Sequence, residues 1–178
     1  MPLEAPVMTA TLPATIPVSL SAMDWQGWIT FGFVATAVLT AIMVGAQLGR
    51  QTRMDLPTML GTIVTSDLDQ ARFPGILIHF VIGQVFALFY ASAFALIGRS
   101  GWLLGALFGL VHGVLALTVL IPMLPWIHPR MASERTGMEF AVLEPPALFA
   151  QNYGRRTVAV TLLAHVAYGT ILGGLLKP

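Results

Sequence analysis

At 178 residues, with 56% hydrophobic and only 10% charged side chains, the chain cannot coat itself for water as a soluble domain with about a quarter charged residues does. A net charge of +1 with no Lys/Arg run excludes a nucleic-acid footprint. The absence of cysteine excludes disulfides, thiolate metal sites, iron–sulfur clusters and covalent c-type haem.

The bilayer is therefore the natural solvent, and the elements fall in order along the chain. Residues 1–24 carry Pro2, Pro6, Pro13 and Pro17 and no Lys or Arg. They lack the basic region of a secretory signal and read as an extended Pro/Thr-rich arm. Residues 25–178 read as one transmembrane domain. Its first span covers about 28–48, with Trp25 and Trp28 as interfacial anchors. Asp55–Leu56–Pro57 then has the chemistry of a helix start, Asp as cap and Pro in the first turn. Met59, Leu60, Ile63 and Val64 would give that short helix one apolar face, suited to lying in the membrane interface. Asp67 and Asp69 are expected to end it.

The second span covers about 75–97, after Pro74. Only Arg99 and its neighbours separate it from the third, about 102–122, so the two are expected to form a tight antiparallel hairpin. The next connection, about 123–156, is long and proline-marked at Pro125, Pro129, Pro145 and Pro146, which points to function or docking rather than a passive link. The fourth span covers about 157–176. The predicted fold is all-α: a polytopic membrane protein with four helices up and down and a short interfacial helix in the first long loop.

Arg50, Arg53, Arg72, Arg130, Arg135, Arg155 and Arg156 flank one side, against Arg99 and Lys177 on the other. This bias predicts cytoplasmic long loops and termini outside, in a bacterial inner membrane. Phe31–Gly32–Phe33–Val34 echoes Phe108–Gly109–Leu110–Val111, and His79-x-x-x-Gly83 echoes His165-x-x-x-Gly169. Two duplicated hairpins would produce such echoes.

Stripes of small residues mark where membrane helices touch. Gly101, Gly105, Gly109 and Gly113 form one; Gly83, Gly169 and Gly173 belong to two others. They are candidate packing residues, within the bundle or toward another subunit. His79 and His165 lie on such stripes and His112 beside one, so all three are expected to face protein. Counted from the expected helix ends, His79 would lie about 6 Å deep and His112 and His165 about 13–15 Å. His128 falls in the long loop on the same side, near Glu134 and Glu139.

An ionisable residue within the membrane is a functional candidate by default. His112 and His165 on facing helices are candidate ligands for haem b or a divalent metal, with His79 as a third ligand and Glu134, Glu139 or Glu144 as the nearest acids. Glycines beside them would give a flat ring room. Contact with a quinone, a proton path or another substrate is a further reading. The simpler reading is that each neutral histidine hydrogen-bonds a carbonyl or a threonine on a neighbouring helix. No H-E-x-x-H, E-x-x-H, Walker A or G-x-S-x-G pattern is present. Arg130, in His128–Pro129–Arg130–Met131, and Arg155–Arg156 are candidate headgroup or anion ligands, or simply positive anchors.

Three motifs carry a resemblance. Ala164–His165–Val166–Ala167–Tyr168–Gly169 resembles the Gly-His-Leu-Val-Tyr-Gly type motif in the last helix of a family of small bacterial four-helix membrane proteins of unknown function. Gly75–Ile76–Leu77–Ile78–His79 through Tyr90 is similar to that family's second helix, and Ala106–Leu107–Phe108–Gly109–Leu110 to its third. The position before His165 is Ala here rather than Gly. The resemblance implies a bacterial inner-membrane protein and no particular activity. The leading functional expectation is a non-catalytic accessory or assembly subunit, with the bilayer, other membrane subunits or a second copy as partners. The alternatives are a histidine-ligated haem or metal redox protein, and a small transporter or lipid-binding protein.

Overall fold

A computed structural model describes residues 23–133 and 143–177, and every described regular element is helical. The expected arm lies outside the described residues except at its end. There the Asp24 carboxylate accepts from the Gly27 N–H at 2.8 Å and starts α1, Trp25–Leu48. Asp55 caps the short α2, Leu56–Gly61, as its sequence predicts. Asp67 does not end a helix. Its carboxylate accepts from the N–H groups of Asp69 and Gln70 and starts α3, Leu68–Ile97. Pro74 thus sits inside α3, where it removes a single intrahelical bond. Gly98, at φ +72°, ends α3. Next come α4, Trp102–Leu115, which continues as a π-helical stretch over Ala116–Leu120, and α5, Leu124–Ile127. A 3₁₀ turn over Leu148–Tyr153 precedes α6, Thr157–Leu175. The helix α1, α3, α4 with its π extension, and α6 are each long and apolar enough to cross a membrane.

Glycine contacts set which spans meet. A Cβ on Gly105, Gly109, Gly169 or Gly173 would collide with backbone of the facing helix, so α4 and α6 touch main chain to main chain. Residue pairs run in opposite order along the two, from Gly101 near Gly173 to Gly113 near His165, which makes them antiparallel. Antiparallel α1 and α3 meet through Gly32 against Gln84 and Ala87, and through Gly83 against Thr36. The other face of α1 packs on α6. The Tyr168 hydroxyl donates to the Gly83 carbonyl at 2.6 Å and ties α6 to α3.

The expected tight pairing of the second and third spans is not seen. Their connection is short, yet the α3 and α4 backbones stand apart because aromatic side chains fill the space between them. Phe94 stacks on Phe108 at 5.4 Å, Tyr90 meets Phe108 edge-on, and Phe86 stacks on His112 at 4.1 Å. The two echoed hairpins are both antiparallel, but α1 and α6 touch closely where α3 and α4 do not.

The short α2 also differs from an amphipathic surface helix. It ends at Gly61, so Ile63 and Val64 fall in the following turn and are exposed. Met59 and Leu60 turn inward and are buried. Gly61 lies against the Ala71 carbonyl and Gly75 against the Pro57 carbonyl, which lets α2 lie directly on the first turns of α3.

Candidate functional site

His79, His112 and His165 come together. They line one cavity of about 300 Å³ bordered by α1, α2, α3, the end of α4, α5 and α6 and open on one side. Its remaining wall is mostly apolar, including Leu39, Met59, Leu60, Ile82, Phe86 and Leu124, with Thr36 and Tyr168 at its edge. The π-helical stretch contributes Ala116 and Leu120. A wider helical turn there moves side chains off the regular α register, as π segments at functional sites do. His79 stands further from the start of its helix than the expected span put it. Because α3 begins at Leu68, His79 lies about 16 Å into its helix, at the level of the other two.

The hydrogen bonds fix two ring tautomers. The Thr40 hydroxyl donates its single proton to the Thr36 carbonyl at 2.7 Å. The 2.9 Å contact between Thr40 Oγ1 and His79 Nδ1 must then use a proton from the ring, so neutral His79 carries Nδ1–H and a bare Nε2. His165 Nδ1 donates to the Thr161 carbonyl at 2.8 Å, which leaves its Nε2 bare in the same way. His112 Nδ1 lies 3.4 Å from the Tyr90 hydroxyl, and either group can donate across that contact. None of the three Nε2 atoms has a hydrogen-bond partner among the described residues. None is sealed from solvent-sized contact either. The expectation that each histidine bonds a threonine or a carbonyl thus holds for one nitrogen per ring in His79 and His165, and the second nitrogen stays available.

The rings do not offer the haem geometry. The ring centres of His112 and His165 are 4.7 Å apart and nearly perpendicular, at 82°. A metal between two imidazoles needs two bonds of about 2 Å plus both ring radii, which exceeds that separation. The glycines give no slot for a flat ring, because α6 backbone occupies the space beside Gly105 and Gly109. Among the described residues no three His, Asp or Glu side chains converge on a metal-sized point. Glu134 and Glu139 lie outside the described residues.

The basic residues of the loops are placed separately. His128 is buried and accepts the Arg130 N–H on Nδ1 at 3.1 Å. Its Nε2 therefore carries the proton and donates to the Met59 carbonyl at 2.9 Å. The Arg130 guanidinium donates to the carbonyls of Thr62 at 2.8 Å and Ile63 at 3.1 Å. Both residues thus clamp the C-terminal end of α2, where carbonyls lack intrahelical partners. Burial holds the His128 pKa below the ordinary histidine value. The bond to Met59 opposes that shift, and the Arg130 charge adds to it.

The second loop is stitched to the first. Thr52 and Thr157 share a 2.6 Å hydroxyl bond, Arg53 N–H donates to the Tyr153 carbonyl at 2.8 Å, and Arg156 donates to Gln51. The Tyr153 hydroxyl donates to the Glu144 carbonyl at 2.6 Å; burial first, and the Glu144 charge second, push its pKa up to about 12, with Arg53 opposing. Ala147, Phe149 and Ala150 adopt positive φ in this segment, a strained backbone held by these contacts. Arg155 is exposed. Arg130, Arg155 and Arg156 do not form one anion site; two of the three serve packing within the chain.

Sequence reasoning passed over Thr40, Tyr90 and Phe86, which orient or cover the histidines. For Thr40 the signal was its four-residue spacing from Thr36, one turn apart on the same face of α1. No protein-family model, curated protein or solved structure matches the chain.

Proposed function

We propose that this chain is a membrane-embedded binding protein that holds a small lipid-soluble molecule in the three-histidine cavity. The observation that supports it is that His79 and His165, each with an Nε2 lacking a partner among the described residues, line a mostly apolar space. Acceptors without a protein partner that line a mostly apolar cavity suit a ligand that brings donors. The size of the cavity fits one small ring or a short polar head rather than a macrocycle.

An assembly role has less geometry behind it. The glycine faces expected to dock a partner are occupied by helices of the same chain, and the described part of the Pro-rich loop is bound to the first loop. We read the stitched-loop face as cytoplasmic and the membrane as a bacterial inner membrane, on the Lys/Arg bias of the loops.

The test is recovery of the ligand. Protein purified gently from its own membrane is extracted with organic solvent and the extract analysed by mass spectrometry. One small molecule near equimolar with protein, absent from a folded His79→Phe/His165→Phe variant, is the expected result. Extracts from both proteins that match bulk membrane lipid would overturn the proposal.

A further inference from the structure

We infer that the cavity recognises an aromatic ring bearing two hydroxyl donors, a lipid-soluble hydroquinone, in preference to its acceptor-only quinone form. The inference rests on the binding reading above and adds the chemical class.

Four observations carry it. First, the polarity of the site is fixed. Thr36 and Thr161 carbonyls, directly or through Thr40, hold the protons of His79 and His165 on Nδ1, so both present lone pairs. A hydroxyl donor satisfies each of them; a quinone carbonyl opposite either is a lone pair facing a lone pair. Second, His112 is the adaptable member. Its Nδ1 contact with Tyr90 accommodates either tautomer, so it can accept from the ligand or donate to it. Third, two aromatic side chains of the wall lie against His112. Phe86 stacks on His112 at 4.1 Å, and Tyr168 lies 5.9 Å from the same ring, an environment suited to offset or edge-on contact with another ring.

Fourth, there is room for a tail. A second apolar cavity of about 580 Å³ lies in the gap between α3 and α4 and shares Phe86 and His112 with the first. Its wall includes Phe89 and Val111, which are 64% and 61% exposed on the outer surface of the bundle. An alkyl chain on a ring in the histidine cavity would have this apolar groove beside it, across the Phe86–His112 pair and open toward the bilayer.

The experiment uses the full chain in lipid nanodiscs, with empty nanodiscs subtracted for partitioning. Three probes share one alkylated ring: the hydroquinone under reducing conditions, its quinone under oxidising conditions, and the plain alkylbenzene. The hydroquinone is expected to bind about tenfold or more tighter than either of the others, the scale of two matched hydrogen bonds. In His79→Phe and His165→Phe that preference is expected to vanish while alkylbenzene binding persists. Thr40→Val keeps side-chain shape, releases the His79 tautomer and is expected to weaken the preference, so it reads the same mechanism where a histidine variant does not fold. Saturable binding of all three probes with equal affinity, or a preference for the quinone, overturns the donor assignment and leaves the cavity reading standing. No saturable binding of any probe overturns both.

Discussion

His128 shows how a histidine in a membrane protein can be wholly structural. Both its nitrogens are engaged, one with the Arg130 N–H and one with the Met59 carbonyl. His79 and His165 differ in that each leaves one ring nitrogen unpaired. Its lowered pKa has a consequence for stability. The unfolded histidine binds a proton below about pH 6.5, while the folded one resists it, so folding releases that proton. The contribution is fully present above about pH 6.5 and is lost progressively as pH falls toward the folded value. Thermal unfolding in detergent between pH 7 and pH 5 should therefore lose stability in the native chain. The loss should be smaller in His128→Gln, whose side chain cannot titrate and keeps a donor for the Met59 carbonyl. Equal pH dependence in both proteins would assign the effect to other groups.

At the scale of elements, contact between α4 and α6 depends on the missing Cβ atoms. A Gly109→Ala methyl would meet the His165 carbonyl, and backbone cannot swing aside as a side-chain tip can. Overpacking of this kind typically costs about 1–3 kcal/mol. Gly45 in α1 has nothing within 4 Å of the equivalent position, so Gly45→Ala should be neutral or slightly stabilising. Thermal stability of the two variants, measured side by side, separates close contact from helix propensity. The spans and the glycine stripes were legible in the sequence because length, hydropathy and four-residue spacing are local properties. The start of α3 was not. Pro74 looked like a boundary, but an N-terminal cap at Asp67 outweighs one lost bond. Nor was the separation of α3 from α4 legible: a short connection limits distance at one end of a hairpin, and the bulk of Phe86, Tyr90, Phe94 and Phe108 decides it along the rest.

For the molecule as a whole, the arrangement joins a packed bundle on one side to an open, aromatic-lined gap on the other. Main-chain contact between α4 and α6, and close packing of α1, make the rigid part; the cavity lies where α3 and α4 diverge. The loops that close one end are bound to each other through Thr52–Thr157 and the Arg130 clamp. Their side of the membrane is open to direct test because the chain has no cysteine. In intact cells, Arg99→Cys is expected to react with a membrane-impermeant thiol reagent and Arg155→Cys only after permeabilisation; the reverse would invert the orientation. That three histidines would meet was suggested by their small-residue stripes. Which nitrogen His79 would leave free depended on Thr40, on another helix and 39 residues away, and was invisible to spacing arguments. The receptor character of the cavity rests on those free nitrogens, so ¹⁵N NMR of imidazole-labelled protein in nanodiscs is the most direct measurement. Neutral His79 and His165 with the proton on Nδ1, and Nε2 resonances that move when a donor-bearing probe is added, are the expected result. Protons found on Nε2, or Nε2 signals indifferent to every probe, would contradict it.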